Sequence, residues 1–253
     1  MEKREWFLFQ SSLDQCKGRR DPQFEKPKPL TPARPFRVPS ENSILFIGEA
    51  PPDEGGFWKS QNDDAIRRLL FPCLQNTHLA ALNPDSEEAM DLFVALSCFF
   101  VQAMKWPLKK SYNKLTLSSR RLAVEHAVNE HLEDELGMIN PRAIIALGNG
   151  AWHACSLLAE KNKSTVLKRS GAEKLRGHHY ELKMAHRQIP LHVTFLPGVM
   201  NERFSRDRID AIRTDIPIYL DCIEKGGGCD VGGCTWHGRL KPISTAYSMG
   251  QDT

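Results

Sequence analysis

The pattern of apolar and polar positions predicts a sheet of buried strands. Four short runs of consecutive apolar residues lie far apart in the chain, at residues 44–47, 99–101, 143–147 and 191–195. Runs of this length without alternation are typical of strands that are covered on both faces. The segments between these runs have apolar residues at the three- to four-residue spacing of helices. Strands that alternate with helices indicate an α/β fold with a mainly parallel sheet. In such sheets, binding sites lie at the carboxyl ends of the strands.

Capping residues predict where the intervening helices begin and end. Asp63 or Asp64 is expected to cap the first helix. Ser119 is expected to cap a second helix, which should stop at Gly137. A third helix should begin directly after Gly148. The reasons are that Ser and Asp side chains accept hydrogen bonds from the first turn, whereas glycine favours a helix end.

A loop rich in carboxylates follows the first predicted strand. It reads Gly48-Glu49-Ala50-Pro51-Pro52-Asp53-Glu54-Gly55-Gly56-Phe57-Trp58. A glycine directly after a buried strand permits a tight turn, and the prolines stiffen the loop that follows. Three carboxylates and two aromatic rings should therefore lie over the edge of the sheet. Acidic loops with glycine and proline are also ordinary turn material, so this loop alone is a modest signal.

The other strand ends complete a pattern that resembles the uracil-DNA glycosylase superfamily. The second strand ends in Gln102, the third continues into the sequence IIALGNGAW, and the fourth runs into Leu196-Pro197-Gly198-Val199-Met200-Asn201. Members of that family have a G-E-A-P-G loop after the first strand and a base-reading Asn after an apolar strand. They also have an I-x-A-L-G-x-x-A turn and a final loop such as H-P-S or N-P-S-G-L-N. The resemblance covers residues 44 to 220.

The resemblance implies a three-layer α/β/α fold around a central four-stranded, mainly parallel sheet. It also implies hydrolysis of the N-glycosidic bond of a flipped-out base, which leaves an abasic site and requires no cofactor for the chemistry. Glu49 is at the family position for the catalytic carboxylate, and Asp53 is the alternate; Glu49 could instead only cap a loop or helix. Phe57 or Trp58 would stack on the base, or pack in the core. The implied substrate-binding residues are Gly48, Ala50, Phe57, Trp58, Gln102 and Asn201.

Two departures from the family pattern bear on the substrate. Gln102 replaces the usual Asn, and Leu196-Pro197-Gly198 replaces the triplet that donates a hydrogen bond to the leaving base. Loss of one such donor can lower the rate on the order of 100-fold. Either the enzyme releases a modified or deaminated pyrimidine, or the chain is a degenerate DNA-binding protein. The first alternative fits DNA repair or defence against phage with modified bases such as glucosylated hydroxymethylcytosine.

A nucleotide hydrolase or transferase that uses the acidic loop with magnesium is a weaker hypothesis. The sequence has no glycine-rich phosphate loop ending in Lys-Ser or Lys-Thr.

Basic and apolar residues near the strand ends are candidates for contacts with DNA. Leu196, Val199 and Met200 could insert into the duplex where the base has left, or they could pack beneath the next helix. Asn201 and Arg203 could contact phosphates. The remaining candidates are Lys105, Lys109, Lys110, Pro197 and Gly198.

Composition and charge refine these predictions. The chain has 253 residues, of which 41% are hydrophobic, with a formal net charge of +3. The basic residues concentrate at 1–40, 101–121 and 161–187, as expected if one face contacts phosphates, although such runs are usually solvated surface. The first 40 residues are proline-rich and predict an extended basic arm before a domain at 41–223. Without an apolar span or an export signal, we expect a cytoplasmic monomer.

The cysteines argue against disulfides and allow one metal site. Seven cysteines, an odd number, argue against a disulfide framework. An unliganded, glycine-rich tail at 224–253 is the default expectation. The alternative is that Cys222, just before this tail, and Cys229, Cys234 and His237 within it bind a structural zinc ion.

Overall fold

A five-stranded sheet forms the centre of the computed structural model, which describes residues 3–13, 35, 37–52, 56–59, 64–74, 76–163, 171–184, 187–196 and 202–225. The strands are β1 (Ile44–Gly48), β2 (Cys98–Gln102), β3 (Ala143–Leu147), β4 (Tyr180–Met184) and β5 (Arg187–Thr194). Their order is β2-β1-β3-β5-β4. The first four in that order are parallel, and β4 pairs with β5 in the antiparallel sense. The predicted α/β class is confirmed.

The four predicted strands are present, and the sheet has a fifth strand that the sequence pattern did not indicate. Every residue of β1, β2 and β3 is buried, which explains their uninterrupted apolar sequences. In β4, by contrast, Leu182 is buried between exposed Glu181 and Lys183. This strand lies at the edge of the sheet, where charged side chains can face water.

Helices cover the sheet and connect its strands. They are α1 (Lys3–Ser12), α2 (Ala65–Leu70), α3 (Glu87–Ala95), α4 (Leu117–Ala127), α5 (Glu133–Ile139), α6 (Asn149–Lys161), α7 (Ala172–Leu175) and α8 (Glu202–Glu224). Short 3-10 turns occupy residues 71–73, 78–80 and 112–114, and a π turn at 128–132 joins α4 to α5. None of the helices in the described ranges is long and apolar enough to span a membrane.

Helices α6 and α8 lie on opposite faces of the sheet. On β5, His192 contacts Tyr219 of α8 with ring centroids 4.5 Å apart. The neighbouring residue Leu191 points to the other face, because side chains alternate along a strand. Its cross-strand partner Tyr180 contacts Trp152 of α6. The three-layer arrangement follows from these contacts.

The predicted helix boundaries were partly right. Asp64 caps α2 by accepting a hydrogen bond from the backbone N–H of Arg67, as predicted. The prediction of Ser119 as a cap was wrong: Thr116 caps α4, because its side chain accepts from the Ser119 N–H. The predicted stop at Gly137 was also wrong, since α5 continues to Ile139 and ends at a left-handed Asn140.

The expectation of an extended N-terminal arm was wrong for residues 3–13. These residues form α1 and the turn after it, and Trp6 is completely buried. The indole N–H of Trp6 donates to the carbonyl of Arg37 over 2.9 Å, and its ring packs edge-on against Phe99 of β2. An aromatic anchor therefore joins this helix to the domain core.

Candidate functional site

Glu49 lies between the carboxyl end of β1 and the first turn of α6. The backbone carbonyls of Gly48 and Glu49 accept hydrogen bonds from Ala103 and Met104, at 2.8 and 2.9 Å, so the β1–β2 ladder continues past both strands. The Oε1 atom of Glu49 accepts from the Gly150 N–H over 2.8 Å. Glu49 thus caps α6, the structural role that the sequence left open, and is held at the strand ends.

Glycine at position 148 permits this arrangement. Gly148 has a φ of +90°, and a Cβ atom there would lie 2.7 Å from both Oε1 of Glu49 and Cβ of Leu196. A side chain would therefore be strained in its backbone and would also collide with the carboxylate. The IIALGNGAW turn brings β3 into contact with Glu49 through this glycine.

Burial changes the acidity of Glu49. The residue is 8% exposed. Desolvation raises the pKa of its carboxyl from 4.5 to about 7, and the backbone N–H groups of Gly150 and Asn149 oppose this rise. The positive charges of Arg208 and Arg120 also lower that pKa. A carboxyl with such a pKa can be ionised near neutral pH and can also take up a proton there.

Gln102 places a buried amide at the adjacent strand end. The residue pairs with Gly48 in the β1–β2 register and is 3% exposed. Within the described part of the chain, neither its Oε1 nor its Nε2 makes a hydrogen bond. A Cβ atom on Gly48 would lie 2.6 Å from Oε1 of Gln102, so the glycine leaves room for this side chain. Buried amides are normally paired, and this one offers both a donor and an acceptor.

The two aromatic residues after the acidic loop belong to the core. Phe57 is 1% exposed and stacks on Phe100 with centroids 4.2 Å apart and planes at 16°. The rings of Phe93 and Phe71 also contact the ring of Phe57. The indole N–H of Trp58 donates to the carbonyl of Phe100 over 2.8 Å. The prediction that one of them stacks on a base is therefore corrected, because protein groups surround both.

Lys105 was wrongly predicted to contact DNA. Its side chain is completely buried, and the Nζ atom donates to the Gln102 carbonyl at 2.9 Å and to Oε2 of Glu135 at 2.6 Å. The lysine therefore anchors the end of β2 to α5 and cannot reach a phosphate. Lys109 and Lys110 are exposed, which leaves their predicted DNA contacts open.

Two arginines near Glu49 were not predicted as site residues. Arg120 of α4 donates through Nε to the Tyr112 carbonyl over 3.1 Å. The guanidinium of Arg208 in α8 lies 5.1 Å from the ring centroid of Phe195, at the end of β5. One sequence signal pointed to Arg120, because it lies in the basic segment 101–121. Nothing in the sequence connected Arg208 with the first strand.

The side chain of Asn149, the first residue of α6, makes two hydrogen bonds beside the site. Its Nδ2 donates to Oδ1 of Asn113 over 2.8 Å, and its Oδ1 accepts from the backbone N–H of Ala172 over 2.7 Å. A single amide thus links α6 to the segment before α4 and to α7. The turn beside Glu49 is consequently tied to two other parts of the chain.

Several predicted site residues lie outside the described residues. Leu196 lies within them; it is partly buried and packs beside Gly148 and against the core. Ala50 is also partly buried against the core. Cys222 is the described member of the predicted zinc set and is buried near the end of α8. Those outside are Asp53, Pro197, Gly198, Val199, Met200, Asn201, the side chain of Arg203, Cys229, Cys234 and His237.

The strand ends bring together a carboxylate, which can stabilise a positive charge, and an amide, which can pair with a hydrogen-bonding edge. Glu49 supplies the carboxylate, and Gln102 supplies the donor and acceptor at the neighbouring strand end. No model of a known protein family matches this chain, and no curated protein is significantly similar to it in sequence.

Proposed function

We propose that the protein is a DNA glycosylase that hydrolyses the N-glycosidic bond of a flipped-out pyrimidine. The observation that supports this most is the buried amide of Gln102, without hydrogen-bonding partners among the described residues, next to the strand end that carries Glu49. A pyrimidine presents alternating donors and acceptors along one edge, which an amide can pair with when the base is out of the helix.

Glu49 would act on the sugar. As the bond between C1′ and the base lengthens, its electron pair moves to the base and positive charge develops on the sugar. An ionised Glu49 would stabilise that charge and orient a water molecule. The water oxygen bonds to C1′, and its released proton can pass to Glu49, whose pKa of about 7 suits a proton acceptor at neutral pH. The departing base then takes up a proton from solvent.

A residue just after the end of β5 bears on which base could be released, because a site that lacks a hydrogen-bond donor there suits a base that is a good leaving group. Leu196 lies beside Gly148 where the resemblance would place a hydrogen-bond donor. The amide Nε2 of Gln102 would therefore provide the donor to the base carbonyl. A modified or deaminated pyrimidine fits this arrangement, in DNA repair or in defence against phage with modified DNA. We further propose that the enzyme acts as a cytoplasmic monomer.

Release of the base tests the proposal directly. Single- and double-stranded DNAs that contain uracil, hydroxymethylcytosine or glucosylated hydroxymethylcytosine, and DNA with the purine hypoxanthine for comparison, would be incubated with the protein and cleaved with alkali. We expect strand breaks on at least one of the pyrimidine substrates, with a rate about 100-fold lower in Glu49→Gln. Glu125→Gln, which changes a partly exposed carboxylate of α4 that pairs with Arg121, is the matched control and should leave the rate unchanged.

The variant Gln102→Leu separates base recognition from folding. It keeps the size of the side chain and removes both polar groups, so we expect breaks to become rare while the protein stays folded. DNA binding without breaks on any substrate would reject the enzyme and favour a degenerate DNA-binding protein on the same fold.

A further inference from the structure

A second cluster of polar side chains lies between the β4–β5 hairpin and the end of α8. It comprises His179 just before β4, His192 in β5 and Cys222 in α8. One nitrogen from each histidine and the Cys222 sulfur lie within 4.8 Å of one another. His192 and Cys222 are buried, and His179 is partly buried. These three are ligand types that zinc prefers.

The histidine rings have nitrogen atoms available for an ion. Within the described part of the chain, Nδ1 of His179 makes no hydrogen bond, and His192, which interacts with the backbone of His178 through one ring nitrogen, keeps the other nitrogen without a partner. Oε1 of Glu181 lies 3.9 Å from Nε2 of His179. A carboxylate on the far nitrogen of an imidazole is a common companion of a metal-bound histidine, and it leaves Nδ1 for the ion.

The surrounding structure fixes the second ring. Tyr219 of α8 stacks on His192 with planes at 17°. The Tyr219 hydroxyl donates to the Val193 carbonyl over 2.8 Å and accepts from the Gly177 N–H over 2.9 Å. His192 therefore lies against a ring that is itself bound at two backbone positions, so it has little freedom to leave the cluster.

We propose that His179, His192 and Cys222 bind a divalent transition-metal ion, zinc by their chemistry, which joins the β4–β5 hairpin to α8. In a tetrahedral zinc site, nitrogen and sulfur ligands lie about 3.3–3.8 Å from one another. Separations within 4.8 Å therefore require shifts of only about 1 Å. The site groups Cys222 with two histidines of the β4–β5 hairpin, whereas its predicted partners Cys229, Cys234 and His237 lie outside the described residues.

Metal analysis and cobalt substitution test this site. The full chain, purified without added metal, should contain about one equivalent of zinc. After removal of the zinc, titration with Co²⁺ should give the near-ultraviolet band of a thiolate bound to cobalt. Cys222→Ser should lose this band, and His179→Gln or His192→Ala should weaken cobalt binding at least tenfold, because each removes one of three protein ligands.

Two control variants and a folding measurement keep the test decisive. Cys73→Ser removes another buried thiol, which donates a hydrogen bond to the Leu69 carbonyl. His126→Ala removes a histidine of α4. Both variants should bind cobalt like the wild type. Zinc at about 100-fold above its Kd should raise the Tm of the wild type by about 5–10 °C and, at the same concentration, raise that of His179→Gln by at most about half as much. His179 is partly exposed, so this variant is expected to fold.

Two results would overturn the proposal. One is a wild-type protein that binds less than a tenth of an equivalent of zinc or cobalt. The other is a metal that remains bound with unchanged affinity in folded His179→Gln and His192→Ala, which would place it elsewhere in the chain. Neither result bears on base release, because the glycosylase proposal uses none of these three side chains.

Discussion

Glu49 combines a structural contact with an electrostatic penalty. Its carboxyl accepts a hydrogen bond from Gly150, yet burial raises its pKa from 4.5 to about 7. Between these pH values the folded protein therefore holds more protons than the unfolded chain. Stability then falls as the pH rises through this window, and above it the loss reaches about 3 kcal/mol.

The variant Glu49→Gln should reveal this penalty. A neutral amide can still accept from the Gly150 N–H but cannot ionise. We expect the variant to raise the free energy of unfolding by about 2–3 kcal/mol at pH 8 and to change it little at pH 4.5. Urea denaturation at both pH values measures the difference. An equal effect at the two pH values would contradict the assigned ionisation.

The pH dependence of base release should follow the same group. If ionised Glu49 is the active form, the single-turnover rate rises about tenfold per pH unit below pH 7 and levels off above it. The rate would be measured between pH 5 and pH 9 on the substrate that gives strand breaks. A rate independent of pH across that range would assign the chemistry to another group.

At the scale of elements, the end of β2 is anchored by a buried ion pair. Lys105 joins the Gln102 carbonyl to Glu135 of α5, and both charged side chains are completely buried. Removing one partner leaves an uncompensated charge in the core. Replacement of both can be far less harmful, because the cost of desolvating the pair also disappears.

A double-mutant cycle measures this anchor. We expect Lys105→Met to lower the free energy of unfolding by about 3–5 kcal/mol and Lys105→Met combined with Glu135→Leu to recover most of that loss. Chemical denaturation of the two single variants and the double variant would give the coupling energy. Additive effects of the two substitutions would show that the pair is not coupled.

The sequence predicted those elements whose residues follow a clear local pattern of apolar and polar positions. The strands at 44–48 and 143–147 were found because their burial on both faces excludes polar residues. The edge strand β4 was missed because Glu181 and Lys183 alternate with a single buried Leu182. The role of Lys105 was missed for a different reason: its partner Glu135 lies on a separate helix, and charge alone does not reveal burial.

The candidate site was predictable only where strand ends fix it. Glu49 follows β1 directly and Gln102 is the last residue of β2, so parallel topology brings them to one edge. The charge of Arg208, on α8 and far along the chain, lowers the pKa of Glu49, and no local pattern reveals that interaction. Phe57 and Trp58 show the converse, because an aromatic ring after a loop has the same sequence pattern whether it binds a base or fills the core.

At the scale of the whole molecule, if the protein binds DNA as proposed, the exposed lysines after β2 should contribute to the affinity. Lys109 and Lys110 are exposed, whereas Lys105 is buried. Each phosphate contact releases counterions, so Lys109→Ala and Lys110→Ala should each reduce the slope of log affinity against log salt concentration by about 1. Fluorescence anisotropy over a salt series measures the slope. The matched control Lys225→Ala changes a surface lysine just after α8, outside the three basic segments. We expect it to leave the slope unchanged, and a slope for Lys109→Ala and Lys110→Ala equal to that of this control would contradict the prediction.

The chain of contacts from Glu135 through Lys105 to Gln102 has a consequence for protein engineering. The side-chain amide of Gln102 is proposed to select the base, and the backbone carbonyl of the same residue is held in place by the buried ammonium group of Lys105. Small changes in the helix that carries Glu135 would shift this carbonyl and, with it, the amide. Substrate preference could then be tuned from α5, through residues that never contact the nucleic acid, while the carboxylate of Glu49 stays where it is.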